Sequence, residues 1–196
     1  SDLQRVAHRR RGPVADQWGQ SVDEFGNADT AGNRQFAYLP IVAGGTAFTY
    51  QLKVGDQQVR NLRLAGETIA KIFTGAITNW ADPAITHDYG AQLPSKPITP
   101  VVRADGSGAS FQFTAWMNNR YSSVWDAFCA KHGVSSHPCG GTEFFPSFPG
   151  SKSVTSSTSS ANYVTASSGE GSINYDEYAY ALESHYPVVK VLNPAG

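Results

Sequence analysis

The residues best suited to chemistry stand together in Arg103-Ala104-Asp105-Gly106-Ser107-Gly108-Ala109-Ser110. A short apolar run, ITPVVR at 98–103, leads into them. SFQFTAWMNN follows, with Phe111, Ala115 and Asn118 recurring at helical spacing. A strand, a glycine-rich loop and a helix in that order can bind a small oxyanion. The first turn of a helix leaves amide N–H groups without intrahelical partners, and the positive end of the helix dipole lies behind them. An oxyanion seated there collects several hydrogen bonds at once. Gly106 and Gly108 let backbone come close. Ser107 can add a hydroxyl or act as the N-cap. Arg103 can grip an oxyanion through two parallel N–H bonds, and Asp105 can hold that guanidinium in place. The same residues also describe an ordinary capped helix after a tight turn, with Arg103 and Asp105 paired on the surface. The loop is neither a G-x-x-x-x-G-K-[ST] nucleotide loop nor a dinucleotide fingerprint, and the chain contains no G-x-S-x-G.

The elements that must position this loop are readable in outline. Residues 36–52, FAYLPIVAGGTAFTYQL, suggest two strand pieces with a kink at Gly44-Gly45. Residues 64–74 read as a helix with Leu64, Ile69, Ile72 and Phe73 on one face, and Gly75 stands where a C-terminal glycine belongs. Asp82-Pro83 suits a turn into a further short helix. A helix is expected from about Ala109 to Asn119, and another around Val124-Trp125-Phe128. Residues 151–169 hold eight Ser and three Thr. They read as a low-complexity linker, with a polar amphipathic helix as the alternative. Residues 172–180 and 187–192 are strand-like. Trp80, Trp116 and Trp125 read as core anchors, Tyr175, Tyr178 and Tyr180 as strand packing, and His87 and His185 as surface residues.

Composition narrows the function classes. Of 196 residues, 40% are hydrophobic and 16% charged, too apolar and too weakly charged for a disordered chain. Lys+Arg is 15 against Asp+Glu 16, so the basic excess that a duplex-binding surface needs is absent and no nucleic-acid partner is expected. No stretch approaches the ~18 apolar residues of a membrane-spanning helix. Cys129 and Cys139 form no zinc-spaced set with His132 and His137, so no metal is expected. The cysteines fit either one disulfide of an exported protein, the favoured reading, or two free thiols. An enzyme is disfavoured. Ser107 lacks a sequence-local base, and the adjacent carboxylates Asp176-Glu177 would point to opposite faces of a strand.

RADGSGASFQFTAWM resembles the R-x-D-G-S-G-T-[ST]-F signature of the phosphate-binding proteins of bacterial phosphate ABC importers. Four further segments follow the family's order. Phe25-Gly26-Asn27-Ala28-Asp29 resembles F-G-A-S-D, and YLPIVAGGTAFTYQL its strand–Gly-Gly–strand. LAGETIAKIFTGAITNWADPAI resembles its helix ending in I-[FY]-x-G-x-I-x-x-W-x-D-x-x-I, and EGSINYDEYAYAL its G-[SA]-I-G-Y-V-E-Y-[AS]-Y-A. The resemblance covers roughly residues 22–196. It implies an α/β, class II periplasmic-binding-protein-like fold with ligand held between two lobes. By matching positions, Arg103, Ser107, Gly108 and Ala109 would line the phosphate site, with Asp105, Gly106 and Ser110 in support. Asp29 would accept a hydrogen bond from a protonated phosphate oxygen.

Departures from the pattern set further expectations. The family's opening G-A-G-[AS]-T-F-P loop is absent, Ala109 replaces a threonine, and Asn27-Ala28 replaces A-S. The second lobe is therefore expected to be largely complete and the first lobe partial. Residues 1–52 would be an N-terminal segment with connecting strands, 53–169 the second lobe, and 170–196 the return strands. The expected role is phosphate binding outside the cytoplasm in an ABC uptake or sensing system, without a cofactor. Its partners would be inorganic phosphate, an ABC permease and a completing first-lobe segment, with any membrane anchor lying outside this chain. The alternative is an envelope interaction domain that keeps the fold without tight phosphate binding, using residues 151–169 and Arg9–Arg11 as contact regions.

Overall fold

The computed structural model describes residues 15–16, 20–21, 44–135 and 137–193. In chain order its elements are β1 (Ala15–Asp16), β2 (Gln20–Ser21), β3 (Thr46–Ala47), β4 (Lys53–Val54), β5 (Gln57–Gln58), β6 (Arg63–Ala65), α1 (Gly66–Phe73), α2 (Pro83–Tyr89), β7 (Thr99–Arg103), α3 (Gly108–Arg120), α4 (Ser122–Lys131), β8 (Lys152–Val154), α5 (Ser157–Thr165), a 3-10 turn (Ser167–Gly169), β9 (Ser172–Asn174), β10 (Asp176–Glu177), α6 (Tyr178–Ser184) and β11 (Lys190–Leu192).

The apolar run before Arg103 becomes the middle of a three-stranded parallel sheet, β8-β7-β9. Val101 pairs with both Lys152 and Asn174, so β7 is flanked on each side by chain that follows it in sequence. Parallel neighbours require crossovers, and helices α3, α4 and α5 lie in them. Elsewhere β10 pairs antiparallel with β3, and β11 runs parallel to β6. An isolated bridge from Tyr50 to Ile173 ties the segment after β3 to β9.

Local chemistry sets the helix ends. Asp82 caps α2 by accepting a hydrogen bond from the Ala84 amide at 2.8 Å, with Pro83 at the first helical position, where its missing N–H costs nothing. Gly90 closes that helix with φ +86°, a conformation that favours glycine. Ser107 caps α3, its Oγ accepting from the Ser110 amide, and Ser156 caps α5 in the same way.

The core is built on aromatic side chains. Phe113 of α3 lies edge-on to Phe73 of α1 at 5.0 Å between ring centroids and against Tyr175 at 4.9 Å. Phe145 continues the row to Trp125 and Phe128. Trp80 and Trp125 are fully buried, and each indole N–H is satisfied by a backbone carbonyl, of Gly171 and Gly140 respectively. Trp116 is only partly buried. Cys129 and Cys139 are disulfide-bonded. The segment that the bridge closes is also tied down by the Cys139 amide on Asp126 and the Gly140 amide on Asn118.

Several expectations need correction. Leu64 lies in strand β6, and the helix after it begins only at Gly66. Residues 151–169 are not a linker: they form β8, α5 and the 3-10 turn, so the polar-helix alternative holds. Serine-rich composition misled because Val164 and Ser160 are enough to seat the helix, with Ser160 Oγ receiving the Asn174 amide group. Tyr178 and Tyr180 are helical, since the strand run from Ser172 ends at Glu177. The expected strand in 36–43 and the basic residues Arg9–Arg11 lie outside the described residues.

Two stability tests follow from this packing. A Cβ at Gly169 would stand 2.1 Å from the Tyr163 carbonyl oxygen, a backbone atom with no rotamer to retreat to. Gly169→Ala is expected to destabilise the fold by about 1–3 kcal/mol or more in urea titrations. Replacing both Cys129 and Cys139 by Ala removes the covalent closure, with an expected cost of about 2–4 kcal/mol that added reductant reproduces in the native protein.

Candidate functional site

Arg103 is the last residue of β7, so it stands at the carboxyl end of a parallel sheet, where open α/β sheets present ligand crevices. Its guanidinium is turned inward and pinned. Nε donates to Asp105 Oδ1 at 2.7 Å and Nη2 to Asp105 Oδ2 at 2.6 Å, the bidentate fork–fork geometry. Nη1 donates to Ser157 Oγ at 2.7 Å, from the first turn of α5. The residue is only 8% exposed. Burial works against its charge, but the hydrogen bond and charge of Asp105, with Asp176 and Tyr175 nearby, outweigh that and hold it protonated. Replacing one partner of such a pair leaves the other as an uncompensated buried charge.

The backbone around the guanidinium is equally committed. The Arg103 amide donates to Tyr175 Oη at 3.1 Å, and its carbonyl accepts from the Phe145 amide at 3.1 Å. The Ala104 amide reaches the Val154 carbonyl, and the Ser107 amide the Glu143 carbonyl. Tyr175 Oη also shares a hydrogen bond with Ser110 Oγ at 2.7 Å. One buried phenol thus ties the end of β7 to the first turn of α3 from beneath. Burial pushes that hydroxyl up, against the lowering effect of Ser110 and Arg103, so it stays protonated.

These contacts sort the residues singled out in the sequence. Arg103, Asp105, Gly106, Ser107, Gly108, Ala109 and Ser110 come together at one helix entry. Asp105, Gly106 and Gly108 are half-buried, and Ser107, Ala109 and Ser110 are buried. Ser107 acts as the cap, so the capped-helix reading holds, but Arg103 and Asp105 do not form the exposed pair that reading predicted. The first helical amides, those of Gly108 and Ala109, open α3 beside the half-buried glycine. Ser110 Oγ is turned away toward Tyr175 and supports the turn from below. Phe144 and the buried Glu143 wall the far side: a Cβ at Gly106 would lie 3.4 Å from the Phe144 ring and 3.5 Å from Glu143 Oε2. Asp29 lies outside the described residues.

Sequence reasoning missed three participants. Ser157 was hidden in a segment read as a linker, although Ser156 with Ser159 is a legible helix-start pattern. Tyr175 was assigned to packing alone. Asp176 was passed over because strand alternation separates it from Glu177. Alternation does hold in burial, with Asp176 buried and Glu177 exposed. However, β10 is only two residues long, and the negative charge of Glu177 still strengthens the hold of Asp176 on its proton. Asp176 Oδ1 accepts from the Glu177 amide at 2.9 Å, and Oδ2 is buried with no partner among the described residues.

Among the described residues no group of three or more His, Cys, Asp or Glu side chains could hold a metal ion. His132 bonds backbone carbonyls and His137 approaches Asp126. No helix of the described residues is long and apolar enough to cross a membrane.

Burial, against the lowering effect of the Ser157 hydroxyl and the Glu177 amide, pushes the Asp176 carboxyl from its ordinary 3.8 up to about 6. Between those values the folded protein holds a proton that the unfolded chain has released. The group's contribution to stability is complete below the lower value and is lost as pH rises through the higher one. Relative to Asp176→Asn, the native protein is expected to lose roughly 1 kcal/mol of unfolding free energy between about pH 5 and about pH 7 in paired urea titrations.

Comparison with known proteins identifies the family and the fold. The phosphate-binding protein PstS of Pasteurella multocida is 32% identical over 180 residues, covering 91% of this chain and 47% of the relative. The phosphate-binding protein PstS2 of Mycobacterium bovis is 31% identical over 159 residues, covering 81% and 38% respectively. The chain thus spans less than half the length of either. Among solved structures, the periplasmic phosphate-binding protein PfluDING, bound with phosphate, superposes with a TM-score of 0.52 at 19% identity, covering 78% of this chain and 38% of its own. A phosphate-binding protein from Stenotrophomonas maltophilia gives 0.53 at 16% identity, covering 76% and 39%. These structural likenesses establish a shared fold. The PBP superfamily domain matches residues 21–196, and with that span the chain belongs to the PBP superfamily.

Proposed function

We propose that this chain contributes an oxyanion half-site for inorganic phosphate in an extracytoplasmic solute-binding protein that serves an ABC permease. The observation that carries the proposal is the Arg103 guanidinium, locked by Asp105 and Ser157 under the entry of α3. Tetrahedral anions are recognised by fixed donors whose orientation is set before the ligand arrives. Here a prealigned cation at the end of β7 leads, through one short loop, to the opening amides of a thirteen-residue helix. The role is binding without chemistry: relatives of similar sequence carry the name of phosphate-binding proteins.

In this reading Arg103, Ser107, Gly108 and the amide of Ala109 contact the anion. Asp105, Gly106 and Ser110 hold them in place, and Asp29 accepts a hydrogen bond from a protonated oxygen of the anion. Residues 53–169 form the ligand-bearing second lobe, and the strands at 1–52 and 170–196 lead toward a first lobe. The alternative, an envelope interaction domain using 151–169 as its contact region, is weakened because that segment folds against β7 and spends Ser157 on Arg103.

Ala109 has no hydroxyl to offer. A charge-assisted hydrogen bond contributes about 1.5–3 kcal/mol, so losing several donors relative to a two-lobed site lowers affinity by orders of magnitude. The expected dissociation constant for this chain alone is roughly 1 mM. Isothermal titration should give heat with phosphate and none with sulfate. Phosphate should shift the Gly108 and Ala109 amide resonances in heteronuclear spectra. Arg103→Ala should weaken binding at least about tenfold while cooperative unfolding persists. Equal response to sulfate, or unchanged resonances at saturating phosphate, would overturn the proposal.

A further inference from the structure

Around the single guanidinium of Arg103 the fold gathers more negative charge than one cation can balance. Asp105 takes two of its N–H groups. Asp176 follows Tyr175, whose Oη accepts from the Arg103 amide, and its negative charge favours the protonated guanidinium. Ser157 Oγ, which receives Arg103 Nη1, is also 3.5 Å from Glu177 Oε2. Asp176 is 3% exposed, and its Oδ2 has no hydrogen-bond partner among the described residues.

A buried carboxyl with an unused oxygen beside an anion-binding guanidinium is a proton site. Ionised, it competes with an incoming oxyanion for Arg103. Protonated, it withdraws that competition and offers a donor. We propose that oxyanion capture at the Arg103 loop is proton-coupled through Asp176, whose carboxyl takes one proton from solvent as the anion seats. Asp176 is thus a specificity-determining residue that biases the site toward slightly acid conditions. The inference rests on the reading of this loop as a phosphate site.

The groups around Asp176 set the sign. Its charged neighbours are Arg103 from β7 and Glu177 from its own strand, and Tyr175 stays neutral. Among the described residues, the elements packed on β10 add no further charge close by. α5 carries no charged residue, and its Tyr163 lies under Lys152. β3 is Thr46-Ala47, the first turn of α3 is uncharged, and α6 begins with Tyr178. An anion added to this surround raises the proton affinity of Asp176, and by reciprocity the proton raises affinity for the anion. Burial, which already pushes Asp176 up, puts the transition near the working range of pH.

The test is phosphate titration calorimetry between about pH 5.5 and about pH 8, in buffers of differing ionisation enthalpy, on the native chain, Asp176→Val and Asp176→Asn. The ionisation of phosphate itself is common to all three and cancels in the difference. On acidification across that range the native chain should gain about tenfold more affinity than either variant. It should take up more protons per phosphate bound, and the variants should bind more tightly at the alkaline end. Infrared difference spectra of the native chain should show a protonated-carboxyl band growing with phosphate, a readout that needs no variant to fold. Matching pH profiles and proton counts in proteins that all bind phosphate, or no such band, overturn the inference and leave the site reading intact. Absence of phosphate binding in all three at every pH overturns the site reading and the inference with it.

Discussion

The Arg103–Asp105 fork is the interaction on which the arrangement depends. A guanidinium at the end of a central parallel strand has long, flexible methylenes and would ordinarily swing to water. Two carboxylate oxygens and a serine hydroxyl from another element remove that freedom. The ion pair is buried, so its contribution to net stability is small after desolvation. Its value is geometric, because a fixed fork presents charge to an anion without further ordering cost. The neighbouring hydrogen bonds serve the same end. Tyr175 holds the strand end and the helix entry at one distance, and Phe145 and Val154 anchor the backbone on either side.

That rigidity depends on the core beneath it. Tyr175 belongs at once to the polar network and to the aromatic cluster of Phe73, Phe113 and Phe145. A ring wedged among three others cannot shift its hydroxyl without repacking the interior. The site is therefore supported from the apolar side, while its polar side is crowded by carboxyls. The buried, doubly held guanidinium separates the loop from a simple helix cap.

Much of the site was legible in the residues. Arg103, the loop and the helix after it lie within eighteen positions that share one local logic of strand end, glycine turn, cap and helix. Helix α2 was legible for the same reason, since Asp82-Pro83 and Gly90 announce its two ends. The errors fell where the local signal was weak or ambiguous. Residues 151–169 have few apolar side chains, so their helix is held by contacts to β7 and β9 that composition does not display. Tyr178 and Tyr180 share their composition with strand residues, and only the break of the ladder after Glu177 turns them into a helix.

The amino-acid sequence by itself determined the glycine-rich loop, its cap, the family pattern and the lack of a basic excess, because each rests on residue type and short spacing. The tertiary structure alone decided which way Arg103 turns, that Ser157 reaches it across fifty-four positions, and that Asp176 is sealed beside it. It also chose the disulfide over two free thiols. The physical reason is the same in each case. Hydrogen bonds and burial between distant segments depend on where the chain returns, and the return of β8, α5 and β9 to the flanks of β7 is set by packing of the whole core.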